Sequence, residues 1–495
     1  MRTFGISTLN VPYHKLKLQH VFFILLAVAL FIRFPFIFRD YVDRDESTFI
    51  LVGQSWANGF LPYTQLWDLK PPITFLFFAS IITVFGKSLI AIRLAGIVIV
   101  TVTAFYTYQL TALLSTKKVA FWAGCWSIFL TSMFGSLQGV MSEHISMVFF
   151  IPSLYFMASK KKSLGFFVAG ILIGSAVLTK LNLAYPALAL GLYILFYFGI
   201  LKKQWKQALL NAFSFGLGAL LVGGATLLQY YLHFIENTWW ESVFIAPLKY
   251  ASARRYAAIK LLPYLIVFSA LLLFFWKKKV VDFKSKGVQI SAIACFFVLV
   301  SFIKGGRING HYLIQFHPAF MVLAAVAISK ISWLAHKRLT PVYGALLFLL
   351  PAEAYLEYGT IAKSKANTGT FFNGEGIAVP TYLKAQGLAT DNIFFLEYHI
   401  GYWLLNALPP SVAATHPSNI SRPELFPFFN NPRTSSLEEL RFIFEEKQPA
   451  IVVRRKDRLP YANDNEILDA FTENYLKTHY TLIHTIQDAE ILQRK

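Results

Sequence analysis

Long apolar runs separated by short polar breaks fill most of the chain, and the lengths of those runs set the first expectation. A helix needs roughly 20 apolar residues to cross the hydrocarbon core of a bilayer. On that criterion the pattern predicts eleven spans, near residues 18–38, 89–114, 119–136, 145–159, 164–180, 182–200, 208–230, 262–276, 288–303, 313–330 and 341–358. The run "ITFLFFASIITVFG" (73–86) has only 14 residues, bounded by Pro-Pro and Gly-Lys-Ser, and is predicted to lie along or re-enter the membrane surface. From about Gly359 onward no run is long enough to span. There "NIFFLEY" (392–398) and "PAIVVRR" (449–455) read as strands, while "SLEELRFIFEEK" (436–447) has helical spacing. The expected organisation is an all-α polytopic membrane domain over 1–358, with a first long loop at 39–88, followed by a small soluble α/β domain over 359–495.

Composition supports a membrane protein: of 495 residues, 56% are apolar and 17% aromatic, and the mean hydropathy is +0.51. Two cysteines, Cys125 and Cys295, both inside apolar runs, provide neither a disulfide framework nor a zinc ligand set. The net charge of +20 changes the picture through its placement. Basic residues cluster in short loops, as at 116–118, 160–162, 202–206, 277–279 and 336–338, which is the pattern of cytoplasmic loops and not of a nucleic-acid surface. If 73–86 does not cross, every cluster falls on the cytoplasmic side. The N-terminus is then cytoplasmic and the C-terminal domain lies outside a plasma membrane. Basic residues precede the first run without a small-residue cleavage site after it, so that run reads as an uncleaved span.

The same topology gathers the chemically promising segments outside: 39–88, 135–144, 231–261 and 304–312. In the first loop Phe49, Val52, Trp56 and Phe60 recur at helical spacing, predicting a helix in the headgroup plane with its apolar face toward lipid. Asp45 and Glu46 fall at its start. Asp45 suits an N-cap and equally a general base, because the two roles use different lone pairs. Lys70 precedes Pro71 and Pro72; it either snorkels to headgroups or meets a lipid phosphate as a point charge. Arg254, Arg255, Lys304 and Arg307 face outward against the usual depletion of bases there, which points to an anion; Tyr312 stands beside them. His311 and Lys180 are further cations that could face a phosphate, though His311 reads more readily as an interfacial histidine and Lys180 as a span-end anchor.

The stretches "DRDE" (43–46), "GFLPYTQLWDLKPP" (59–72), "SEH" (142–144) and "GHYLIQFHPAF" (310–320) resemble the GT-C-fold glycosyltransferases of the family 39 type. That family includes protein mannosyltransferases and bacterial aminoarabinose transferases. The resemblance covers about residues 20–330. It implies transfer of a sugar from a polyprenyl-phospho-sugar donor to a glycolipid, lipid A-type or protein acceptor on the outer face. It further implies that Asp45, the first of the catalytic pair with Glu46, is the base, and that Lys70 faces the carrier phosphate. Glu143 stands where relatives have a second outer carboxylate, sometimes with a divalent metal. Here Leu69, not an acid, directly precedes Lys70, and Asp68 stands one position earlier, so Asp68, Glu143 and His144 are the candidate metal ligands. No nucleotide cofactor is expected: the phosphate-binding loop pattern is absent, and "FGKS" (85–88) lacks its first glycine and is assigned no phosphate role. A lipid-linked sugar transporter or flippase, and a GT-C oligosaccharide ligase or polymerase, are the alternatives. If the outer domain selects the acceptor, deleting 365–495 would change acceptor choice more than donor hydrolysis.

Overall fold

The computed structural model describes residues 13–40, 43–160, 162–253, 257–306, 308–388, 392–414, 418–461 and 465–495. Helices α1 (Leu18–Arg33), α2 (Arg44–Ala57), α3 (Pro72–Phe85), α4 (Leu89–Ala112), α5 (Lys117–Leu130), α6 (Ser142–Ser159), α7 (Ser163–Val177), α8 (Ala184–Leu195) and α9 (Trp205–Leu232) form the first part of a helical bundle. Two short helices, α10 (Glu236–Trp240) and α11 (Ala246–Ser252), lead to α12 (Ala258–Lys277), α13 (Lys286–Gly305), α14 (His317–Lys330), α15 (Leu339–Leu349) and α16 (Ala352–Thr368).

Among the described residues six helical segments are both long and apolar enough to cross a membrane: Leu18–Ile37, Leu89–Ala112, Leu181–Leu201, Trp205–Leu232, Ala258–Lys277 and Lys286–Gly305. The pair α15 and α16, bent by 40°, makes a seventh if it counts as one span. Pro351 sits at the break, where its ring cannot continue the ladder. The expected spans at 119–136, 145–159, 164–180 and 313–330 become α5, α6, α7 and α14, which are shorter or more polar. The ends of the stretches at 119–136 and 313–330 are spent on the 3-10 turns Gly135–Gln138 and Gly310–Gln315.

Close approach of α7 and α9 shows how small residues set this bundle. A Cβ on Gly170 would lie 2.1 Å from the Phe215 carbonyl oxygen, and one on Gly218 2.4 Å from that of Phe167. Only glycine lets these backbones touch.

In the first loop, α2 does not lie on lipid with its apolar face. Phe49 and Val52 are fully buried against α3, with the Phe49 ring 6.2 Å from Phe75 and 5.9 Å from Phe78. The expected lipid face is a protein core, because α3 folds back over it. Asp43, not Asp45, caps α2, its carboxylate accepting from Asp45 N at 2.8 Å. Pro72 opens α3 at the first helical position, where its missing N–H costs nothing.

Helix α16 runs through the expected boundary at 358 and ends at Gly369, whose φ of 76° terminates it. Beyond lie α17 (Glu375–Ala385), β1 (Ile393–Phe395), α18 (Ile400–Leu405), α19 (Ser436–Arg441), β2 (Ile451–Arg455), α20 (Glu466–His479), β3 (Tyr480–Ile486) and β4 (Ala489–Arg494). The sheet order is β1-β2-β4-β3; β1 pairs β2 in parallel, as Phe394 opposite Val452, and the other pairs are antiparallel. This domain shares one hydrophobic core with the first loop. Trp67 is its pin: the backbone N–H donates to Val412 O at 2.7 Å, its carbonyl accepts from Ala414 N at 3.1 Å, and its indole donates to Ser242 Oγ at 3.0 Å. Arg44 meets Glu397 at 3.0 Å and the Trp403 indole donates to Gln54 at 3.0 Å.

Candidate active site

Four segments converge at one end of the bundle: the start of α2, the Lys-Pro-Pro turn before α3, the turn that opens α6 and the turn that opens α14. Lys70 Nζ lies 3.1 Å from Asp45 Oδ2 and 4.0 Å from Asp68 Oδ2. It also stands 5.1 Å from the centre of the Phe49 ring. Its backbone is fixed as well: Tyr63 Oη donates to Lys70 O at 2.6 Å, and Asp68 Oδ2 accepts from Lys70 N at 3.3 Å. Tyr63 itself holds φ = 70°, a left-handed conformation that a bulky residue adopts only when its surroundings impose it. Those surroundings are Phe75 and Tyr230, packed on its buried ring.

Glu143, in the first turn of α6, is wholly buried and ion-paired with Lys180 Nζ at 2.6 Å. His311 Nε2 lies 3.8 Å from the same oxygen, and Lys180 sits 4.7 Å from the centre of the Tyr312 ring. The two clusters feel one another. Burial works against the charge on Asp45, but Lys70, His311 and Lys180 outweigh it and hold its carboxyl well below the usual carboxylate range. Burial likewise opposes the charge of Lys70, and Asp45 and Asp68 overcome it, raising its pKa. Asp43 behaves oppositely: burial and the adjacent Asp45 charge push its carboxyl up.

Glu46 is turned away from this cluster. Its Oε2 accepts from Arg93 at 2.6 Å and its Oε1 from Val140 N at 2.8 Å, and Arg93 also donates to Phe36 O at 2.6 Å. Glu46, expected beside Asp45 as one of a catalytic pair, is placed instead as a buried brace that ties the segment bearing Asp45 to the turn before Glu143. Neighbouring Arg33 completes that support, donating to the carbonyls of Leu137 at 2.7 Å and Gly139 at 2.6 Å.

The expected metal ligands do not come together as a metal site. His144 has both ring nitrogens engaged, Nδ1 accepting from Met141 N at 3.2 Å and Nε2 donating to Thr131 O at 2.8 Å. Glu143 is already matched by an ammonium, and Asp68 holds the Lys70 turn while accepting from Asn419 at 3.3 Å. Among the described residues no group of three or more His, Cys, Asp and Glu side chains is placed to hold a metal ion. This donor set does not fit a divalent metal.

Of the expected phosphate ligands, Lys70 and Tyr312 are in the cluster, whereas Lys304 is an exposed side chain in the last turn of α13. Arg254, Arg255 and Arg307 lie outside the described residues. Two further members are Lys180 and His311, which the sequence offers as cations but which read more readily there as a span-end anchor and an interfacial histidine. The signal available was their shared topological face, and His311 stood within the "GHYLIQFHPAF" stretch itself.

Comparison with known proteins now bears on this geometry. The family model "Dolichyl-phosphate-mannose-protein mannosyltransferase" matches residues 69–222, a stretch that holds Lys70, Glu143 and Lys180 and leaves Asp45 outside. A crystal structure of ArnT from Cupriavidus metallidurans bound to undecaprenyl phosphate superposes with a TM-score of 0.54 at 14% identity, over 95% of this chain and 97% of that one. The chain has the GT-C fold. The apo structure of the same ArnT gives 0.54 at 15% identity over the same shares of the two chains. A search of curated proteins by sequence gives no match. In this GT-C chain the small sheet domain and the helical bundle together follow the neighbour along nearly its whole length.

Proposed function

We propose that this GT-C protein is a membrane glycosyltransferase that moves a sugar from a polyprenyl-phosphate carrier to an acceptor on the outer face of the membrane. The observation that carries the reading is the Asp45–Lys70 pair beside the Glu143–Lys180–Tyr312 group: two carboxylates, each matched by an ammonium, with a tyrosine ring against the second. The mannosyltransferase family match and the undecaprenyl phosphate bound by the ArnT neighbour support a lipid phosphate as the donor's leaving group.

In the reaction, Asp45 removes the proton from an acceptor hydroxyl or phosphate oxygen. That oxygen forms a bond to the sugar's anomeric carbon. The bond from that carbon to the carrier's phosphate oxygen breaks, and the polyprenyl phosphate leaves with the electron pair. Lys70 and Tyr312 face the phosphate, where a preorganised cation and hydroxyl stabilise the charge that grows as the bond breaks. Lys180 adds a further cation from the other side of Tyr312. The donor phosphate and Asp45 then compete for one ammonium. While Lys70 holds Asp45, the carboxylate is ionised but a poor base; when phosphate draws Lys70 away, its basicity rises. The base is activated by the arrival of its own donor.

In the proposed orientation the N-terminus is cytoplasmic and the C-terminal domain extracytoplasmic. The test is release of polyprenyl phosphate, with sugar transfer, from a radiolabelled polyprenyl-phospho-sugar by purified wild type and Asp45→Asn. Loss of a general base costs about 10²–10⁴ in rate. An Asp45→Asn protein with wild-type turnover would remove Asp45 from the chemistry, and wild type that binds the lipid without ever cleaving it would leave a transport protein.

A further inference from the structure

A cavity of about 320 Å³ lies between the turn from α3 to α4 and the C-terminal domain. Leu89, Ile90, Ile377 and Pro380 give it apolar walls, and Lys87 and Lys384 bring ammonium groups to it. None of its lining residues is acidic. Lys87 Nζ donates to the carbonyl of Trp403 and to Asn406 Oδ1, and Lys384 Nζ donates to Leu404 O at 2.8 Å. These acceptors close the end of α18, so backbone and amide oxygens, not a carboxylate, position both lysines. An ammonium has three protons, and these contacts use two on Lys87 and one on Lys384. Burial and the facing Lys384 charge both push the Lys87 pKa down, and among the described lining residues no carboxylate answers the two ammonium groups.

The neighbourhood is lipid-facing. Phe85, at the end of α3, is 66% exposed, and Ile90, Leu94 and Val98 form an outward apolar stripe along spanning helix α4. The cavity thus sits where hydrocarbon contact gives way to charge. It is also separate from the catalytic cluster: Lys70 and Lys87 flank opposite ends of α3, whose 14 residues extend about 21 Å at 1.5 Å per residue.

We propose that this cavity binds the phosphate-bearing headgroup of a membrane lipid, with Lys87 and Lys384 on the phosphate and the apolar wall against the base of the acyl chains. The sequence assigned "FGKS" no phosphate role because it is not a nucleotide loop. What creates the site is Lys384, brought from the C-terminal domain. Bound lipid would bridge that domain and the first loop at the membrane surface.

The experiment uses the full-length protein in neutral detergent and counts retained dioleoyl phosphatidylglycerol by native mass spectrometry, without any sugar donor, so that it stands or falls apart from the transferase reading. Wild type should retain one molecule that is bound about thirtyfold more weakly by Lys87→Gln/Lys384→Gln, as two surface cations on an anionic lipid imply, while Lys87→Arg/Lys384→Arg restores it. Thr381→Trp, which fills the cavity and leaves both lysines and their carbonyls in place, should cause the same loss and guards against a folding defect in the double variant. Equal retention by wild type and Thr381→Trp overturns the proposal. So does a thermal shift with inorganic phosphate alone, sensitive to the same substitutions, when no lipid is retained.

Discussion

At the scale of single residues, the site is a contest over one lysine. Asp45 is 27% exposed and Lys70 16%, so their attraction is only partly screened and the carboxylate pKa is held down. A base with a lowered pKa stays unprotonated to lower pH. The acid limb of kcat/KM, which reports the free enzyme, should therefore fall below the ordinary aspartate value of about 3.9. If Lys70 turns to phosphate in the donor complex, as proposed, the carboxylate loses its partner and the limb of kcat should move to higher pH. Superimposable limbs would mean that Lys70 never leaves Asp45. Tyr63 offers a second check: Tyr63→Phe removes the hydroxyl that holds Lys70 O, and should raise donor KM by several-fold with a smaller change in kcat.

Among elements, the governing feature is how α2 and the turn before α6 are locked together. Glu46 and Arg93 are both buried, and removing one partner of a buried ion pair leaves the other charge without compensation. Glu46→Ala should cost about 3–5 kcal/mol of stability, seen as a fall in the thermal midpoint that Asp45→Asn does not share. A midpoint unchanged in Glu46→Ala would restore Glu46 to the list of chemical groups. The helical spacing of Phe49, Val52 and Trp56 was legible in the sequence, but the partner of that face was not. An apolar stripe has the same pattern whether it meets lipid or α3.

Over the whole molecule, the C-terminal domain is built into the site and is not an appendage. Trp67 joins the first loop to residues 412–414, and Arg44, next to Asp45, is tied to Glu397. Deleting 365–495 would strip this core, and the expected result is loss of donor hydrolysis together with transfer, contrary to the separation anticipated from domain order alone. Trp67→Ala is the gentler probe: emptying so large a buried site costs about 3–5 kcal/mol, and limited proteolysis of the C-terminal domain should accelerate. Unchanged donor hydrolysis in a well-folded truncated protein would show the domain to be dispensable for chemistry.

By itself the sequence determined that the chain is a polytopic helical membrane protein with a small α/β domain at its end, because run length and residue alternation report solvent preference directly. It also marked Asp45, Lys70 and Glu143, since an acid or a base in an apolar chain is costly enough to be noticed wherever it stands. Only the tertiary structure decided their partners. Lys180 lies at a turn with no local signature, His311 stands in a marked stretch that does not say what it faces, Glu46 sits beside Asp45 in sequence but turns to Arg93, and Lys384 meets Lys87 from the C-terminal domain. Charge interactions act through space and fall off with distance and solvent exposure, so which charges compensate one another is fixed by the fold that brings them within a few ångströms.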